Sequence, residues 1–157
     1  EGHELKQPPR APQESIFNRI MLERVIISAV VMGVVAFSLF TFLLDQGFSL
    51  EQARNNTLLL MVLFENVHVF NCRSETLSMF RHNPLRNKLL LVGTMIAQAL
   101  HLAAMYTPWL REVLGVEPVS FQQWLGLLAL ALSIMVVMEL HKGFRSNRVK
   151  QNRLSHE

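Results

Sequence analysis

Residues 25–44, VIISAVVMGVVAFSLFTFLL, are twenty consecutive positions without a charged side chain and with nothing more polar than Ser28, Ser38 and Thr41. A helix rises about 1.5 Å per residue, so the run reaches roughly 30 Å, the thickness of a bilayer's hydrocarbon core. A water-soluble bundle spaces its apolar residues at helical intervals, whereas here they are concentrated. Charged residues make up 17% of the chain, against ~25% in ordinary soluble domains, and they collect between the apolar runs. The chain is therefore expected to live in a membrane.

Three further segments follow the first. The second begins after Gly47, where Ser49 and Gln52 have the spacing of a capping box, and is expected to span about 52–73. The third, about 87–106, is introduced by Asn83-Pro84 and stopped before Pro108. The fourth, about 121–141, follows Ser120 and Gln123, the same cap spacing again. The connections are short, so successive helices should be antiparallel neighbours. The fold class expected is all-α: a polytopic membrane protein with a four-helix transmembrane domain over 25–142, an N-terminal segment 1–24 and a basic tail 143–157.

Lys and Arg set the orientation. The segment before Val25 carries four (Lys6, Arg10, Arg19, Arg24), the next connection one (Arg54), the next four (Arg73, Arg81, Arg86, Lys88), the next one (Arg111), and the tail five (Lys142, Arg145, Arg148, Lys150, Arg153). Thirteen fall on one side of the membrane and two on the other, which by the positive-inside rule places both termini in the cytoplasm. Tyr106, Trp109 and Trp124 fall near the outer ends of spans, as an aromatic belt would place them. The small pairs Ala29/Gly33, Gly93/Ala97 and Ala129/Ser133 are spaced for close helix approach.

A pI near 9.5 raises the question of nucleic acid. The basic residues sit in short segments beside apolar runs, however, which points to anionic lipid headgroups and a bilayer partner. Cys72 is the single cysteine, so an intrachain disulfide is impossible. The start shows no signal-peptide pattern, and Glu1 in place of an initiator methionine fits a piece of a longer protein.

Glu65 is the one formally charged residue deep within a span. A charge there costs on the order of 3 kcal/mol on the insertion scale. Two readings stand: a protonated glutamate hydrogen-bonded to a neighbouring helix, or a cation or proton ligand facing the bundle interior. His68 and Cys72 lie roughly 60° and 20° from Glu65 around a helix, so the three share a face. Glu-x-x-His occurs in di-iron bundles, but those need a second such motif and two more glutamates, which this chain lacks. His68 and Cys72 taken singly suit packing or local hydrogen bonds. Gln98 and His101 are expected to bond across helices, and Glu139 to be solvated or paired with Lys142. Asn55-Asn56-Thr57 matches a glycosylation acceptor, a motif frequent by chance.

Three stretches together resemble the C-terminal part of the transmembrane region of P-type cation-transporting ATPases, the calcium-pump-like subgroup. KQPPRAPQE at 6–14 is similar to the segment before the family's seventh helix. FENVHVFNCRSE at 64–75 is similar to the eighth helix and its cytoplasmic exit. Gln123-Trp124-Leu125, with Glu139 and Lys142, is similar to the tenth. The resemblance runs from about Lys6 to Arg145. It implies helices seven to ten of a ten-helix pump in the cell membrane, with the remaining pump helices, the cytoplasmic domains and the transported cation as partners. Glu65 falls on the position of a glutamate that helps bind the ion. His68, where the calcium pumps have an amide, is a second metal candidate and a departure that bears on calcium selectivity. Asn71 and Glu75 match polar positions assigned to packing and to the cytoplasmic exit.

The parent pump would use ATP and Mg. These residues contain no D-K-T-G, T-G-E, T-G-D or G-D-G-x-N-D motif, so the chain alone is not expected to be catalytic and no cofactor is expected within it. Two other classes fit four spans: a stand-alone proton-coupled small transporter using Glu65, and a non-catalytic accessory membrane subunit.

Overall fold

The computed structural model of the chain describes residues 19–72 and 87–154. Among them are five helices and no strand: α1 (Arg19–Asp45), α2 (Leu50–Asn71), α3 (Lys88–Tyr106), α4 (Pro108–Leu114) and α5 (Phe121–Leu154). The 6–14 stretch, the Asn83-Pro84 start and Glu75 lie outside the described residues.

The ends of the helices follow local chemistry. The Ser49 hydroxyl accepts from the Gln52 backbone N–H at 3.1 Å, and Gln52 Oε1 accepts from the Ser49 N–H at 3.2 Å. Ser120 and Gln123 repeat the exchange at the start of α5, at 3.2 and 2.8 Å. Asn87 caps α3 through Leu90 N–H. Pro108 does stop α3, but it also opens α4 as a first-turn residue, where its missing N–H is not needed. Gly115 closes α4 at φ 61°, in the left-handed region. No α4 was expected from the sequence, although Pro at its start and Gly after its end are the relevant signals.

Two boundaries shift outward. α1 begins at Arg19, before the apolar run, and α5 continues to Leu154, well into the segment read as a tail. Lys, Arg, Gln and Asn beyond Phe144 place no proline in the way, and the helix simply propagates.

The core is built around α2, which packs against α5 and α1 and more lightly against α3. Leu59, Leu60, Leu63 and Phe64 of α2 are buried. They meet Met32 and Ala36 of α1 and the stripe Leu127, Ala131, Ile134 and Met138 of α5. That stripe recurs at spacings of four and three, the geometry of a helix–helix seam. Met105 of α3 and Val116 and Val119 of the α4–α5 connection close one end of the core. Val30, Val34 and Phe37 on α1 and Leu89, Met95 and Leu100 on α3 face outward. An outward apolar surface of this kind suits lipid acyl chains.

Among the described residues three helices are long and apolar enough to cross a membrane: α1 over Met21–Asp45, α3, and α5 over Phe121–Phe144. α2 is not among them, because Glu51, Arg54, Asn55, Asn56, Glu65, Asn66, His68 and Asn71 lower its hydropathy.

The small-residue pairs do not serve as expected within this bundle. Ala29, Gly33, Gly93, Ala97 and Ala129 are exposed, and a Cβ added at Gly33 or Gly93 would meet nothing within 4 Å. The seams use other small residues, Ala36, Ala53 and Ala131, set among larger side chains. Tyr106 and Trp109 are outward, as a belt requires, but Trp124 packs against the core and stacks on Phe121 with ring centroids 6.2 Å apart.

Candidate functional site

α2 carries the polar residues that the apolar spans exclude, and its surroundings decide what each one does. Near its start, buried Asn55 reaches across to the α4–α5 connection. Its Nδ2 donates to Glu117 O at 2.8 Å, and its Oδ1 accepts from Glu117 N–H at 3.0 Å. One amide side chain thereby satisfies both backbone groups of a residue 62 positions away. The same bonds occupy the nitrogen that glycosylation would need, and Asn55 is 3% exposed. The Asn55-Asn56-Thr57 motif is structural in this fold.

At the other end, Asn71 is fully buried. Its backbone carbonyl accepts from Arg24 Nη2 of α1 at 2.9 Å. Its Oδ1 accepts from Lys142 Nζ of α5 at 3.2 Å, and Lys142 also pairs with Glu139 at 3.2 Å. Two cations thus sit at the C-terminal end of α2, where the helix dipole and the last carbonyls favour positive charge. The expected Lys142 pairing of Glu139 and the packing role of Asn71 are both observed. Asn71 Nδ2, Arg24 Nε and His68 Nδ1 are buried there without a hydrogen-bond partner among the described residues.

Glu65 lies between these ends and is exposed on the outside of the helix bundle. Neither sequence reading of its surroundings holds within this chain. It does not face the bundle interior, and no described residue hydrogen-bonds or ion-pairs with it. The rotation of α2 explains why. Glu65 lies roughly 80° around the helix from Asn55 and roughly 120° from Asn71, and both asparagines are turned into the bundle. Glu51, Leu58 and Cys72 are exposed with it at seven-residue intervals, forming an outward stripe along α2. His68 sits at the margin of that stripe, half-buried.

Gln98 behaves as expected: its Oε1 accepts from Asn66 Nδ2 across α2 and α3 at 3.0 Å. His101 does not, since its Nε2 is buried without a partner. Among the described residues no three His, Cys, Asp or Glu side chains come together in a way that would hold a metal ion. An open cavity of about 1030 Å³ lies beside the start of α2, lined by Arg54, Arg111, Glu51, Glu112 and Glu117. A smaller one of about 310 Å³, mostly apolar, lies between α2, α3 and α5 beside Asn66 and Gln98. Glu65 lines neither.

The family model described as "Cation transporting ATPase, C-terminus" matches residues 1–144. Among curated proteins, the chain is 28% identical over 134 residues to "Probable cation-transporting ATPase F" of Mycobacterium tuberculosis, covering 85% of this chain and 15% of that protein. It is 30% identical over 139 residues to mouse "Calcium-transporting ATPase type 2C member 2", covering 88% and 15%. It is 29% identical over 126 residues to the "Calcium-transporting ATPase" of Bacillus subtilis, covering 80% and 14%. The chain therefore spans about one-seventh of the length of these relatives.

Proposed function

Because the chain belongs to the C-terminal family of P-type cation-transporting ATPases, calcium-pump-like in its relatives, we propose that it forms helices seven to ten of an ATP-driven cation pump and donates one ligand, Glu65, to the transported ion. In this reading α2 also spans the membrane, as the second of four spans. Its polar residues are compatible with a membrane because α1, α3 and α5 cover most of its surface, and both termini lie in the cytoplasm. ATP, Mg and the phosphorylated aspartate belong to the rest of the pump.

The observation that carries the reading is the exposure of Glu65 in the C-terminal half of α2, six residues before its end. A carboxylate there is poorly tolerated against lipid. Three neighbouring helices leave it uncovered while burying Asn55 and Asn71 on other faces. The uncovered stripe of α2 is where the remaining pump helices dock, and Glu65 is then aimed at the space they share with this bundle. Calcium takes six to eight oxygens at about 2.3–2.6 Å and one carboxylate supplies at most two, so four or more must come from those helices or from water. His68, at the edge of the stripe, is placed to pack against the same neighbours or to adjust selectivity.

The test is calcium-dependent ATP hydrolysis by the full pump reconstituted in vesicles. Glu65→Gln keeps size and removes the charge, so it should raise the calcium needed for half-maximal activity by tenfold or more, roughly the 1.4 kcal/mol scale of one charged contact. An unchanged calcium dependence would reduce Glu65 to a packing residue.

A further inference from the structure

α2 is anchored by two buried asparagines, one near each end, and the anchors are made by different parts of the chain. Asn55 grips the backbone of Glu117. Asn71 is gripped from two sides, by Arg24 of α1 through its backbone carbonyl and by Lys142 of α5 through its side chain. Glu65 is six residues from Asn71, about 9 Å along the axis. It has no hydrogen-bonding contact of its own among the described residues, so nothing at its own position sets the direction it faces.

We propose that Asn71, held by Arg24 and Lys142, is a positioning residue that sets the rotation of α2 and so aims Glu65 at the transported cation. The proposal rests on the reading of Glu65 as a ligand. Side chains extend a helix to a radius of about 5–6 Å, so a rotation of about 20° moves a carboxylate by about 2 Å. That displacement is comparable to a whole calcium–oxygen distance of about 2.4 Å. A small loss of rotational control is therefore enough to cost affinity while the core of Leu59, Leu60, Leu63 and Phe64 stays buried. The charge-assisted bonds at Asn71 supply the control because they are directional, whereas apolar contacts slide.

The anchor also predicts which substitution is tolerated. The Lys142 bond uses only Oδ1, and Nδ2 has no partner. Asn71→Asp therefore keeps the acceptor, discards a donor that is making no bond, and sets a negative charge beside two cations. Asn71→Leu keeps the volume and removes the acceptor.

The experiment measures phosphoenzyme formed from ATP as calcium is varied, in the reconstituted full pump, for the parent, Asn71→Leu, Asn71→Asp and, as reference, Glu65→Gln. The expected result is a rise of about tenfold in half-saturating calcium for Asn71→Leu, with the maximal phosphoenzyme level retained. Asn71→Asp should stay close to the parent. Parent-like half-saturation in Asn71→Leu alongside a shifted Glu65→Gln would overturn the positioning role and leave the ligand role standing. Equal loss of maximal level in both Asn71 variants, with half-saturation unchanged, would make the residue structural only and also overturn it. An unshifted Glu65→Gln would remove the ligand reading and the positioning role with it. Should Asn71→Leu not accumulate, Arg24→Met removes the other half of the grip, and parent-like half-saturation there is equally contradictory.

Discussion

At the scale of single residues, the asparagines of α2 show how context assigns a role that residue type leaves open. Asn55 looks like a glycosylation acceptor in sequence, yet it replaces two backbone hydrogen bonds for Glu117. Truncating it removes the side-chain partners of both backbone groups of the partly buried Glu117, and a lost hydrogen bond is worth about 0.5–1.5 kcal/mol net. Asn55→Ala should therefore lower resistance to unfolding in detergent by about 1–3 kcal/mol, followed by circular dichroism against denaturant. A variant as resistant as the parent would mean the α4–α5 connection is held by its apolar contacts, Val116 and Val119, alone. Glu65 was recognisable in the sequence because a charge amid apolar residues stands out. The direction it faces was not, because rotation is fixed by Arg24, Glu117 and Lys142, partners 41 to 77 positions away that no local pattern announces. His101 was expected to bond across helices, yet its Nε2 is buried without a partner among the described residues.

At the scale of helices, long apolar runs and cap chemistry were legible. The Ser49–Gln52 and Ser120–Gln123 exchanges were written in the spacing and are present in the geometry. Helix faces were less so. Small residues at spacing four suggest a seam, but Gly33 and Gly93 face outward with open space around them. Within this bundle Gly33→Leu should leave detergent resistance unchanged or raise it slightly, since leucine is the better helix former by about 0.8 kcal/mol. A marked loss would show that Gly33 touches a helix of this chain after all. α2 illustrates the opposite limit. Hydropathy measures partition into lipid, so a helix largely surrounded by protein escapes it. Its membership of the membrane bundle is visible only through the cores it buries against α1 and α5.

At the scale of the whole molecule, the basic residues divide thirteen to two between the alternating connections, and the proposed topology follows from that division. Cysteines placed at exposed Gln46 and Glu112 of the full pump should react with impermeant thiol reagents from outside the cell, and a cysteine at Ser146 should react only after permeabilisation. Reversed labelling would invert the bundle and detach it from the pump reading. The family match covers residues 1–144, so family membership and the all-helical class were legible in the sequence, whereas α4 and the extension of α5 to Leu154 were not. In the proposed reading the other ligands of the cation were not legible either, because that reading assigns them to helices outside this chain. What the bundle contributes is a platform: three helices in lipid, a fourth held among them at both ends, and one carboxylate left uncovered on it.

That uncovered carboxylate is tested most directly by equilibrium binding of calcium to the full pump in the absence of ATP, where no later step of turnover contributes. Comparing the parent with Glu65→Gln at matched protein, the account predicts that the variant loses one calcium from its stoichiometry or binds it at least tenfold more weakly. Identical stoichiometry and affinity in the two proteins would contradict it.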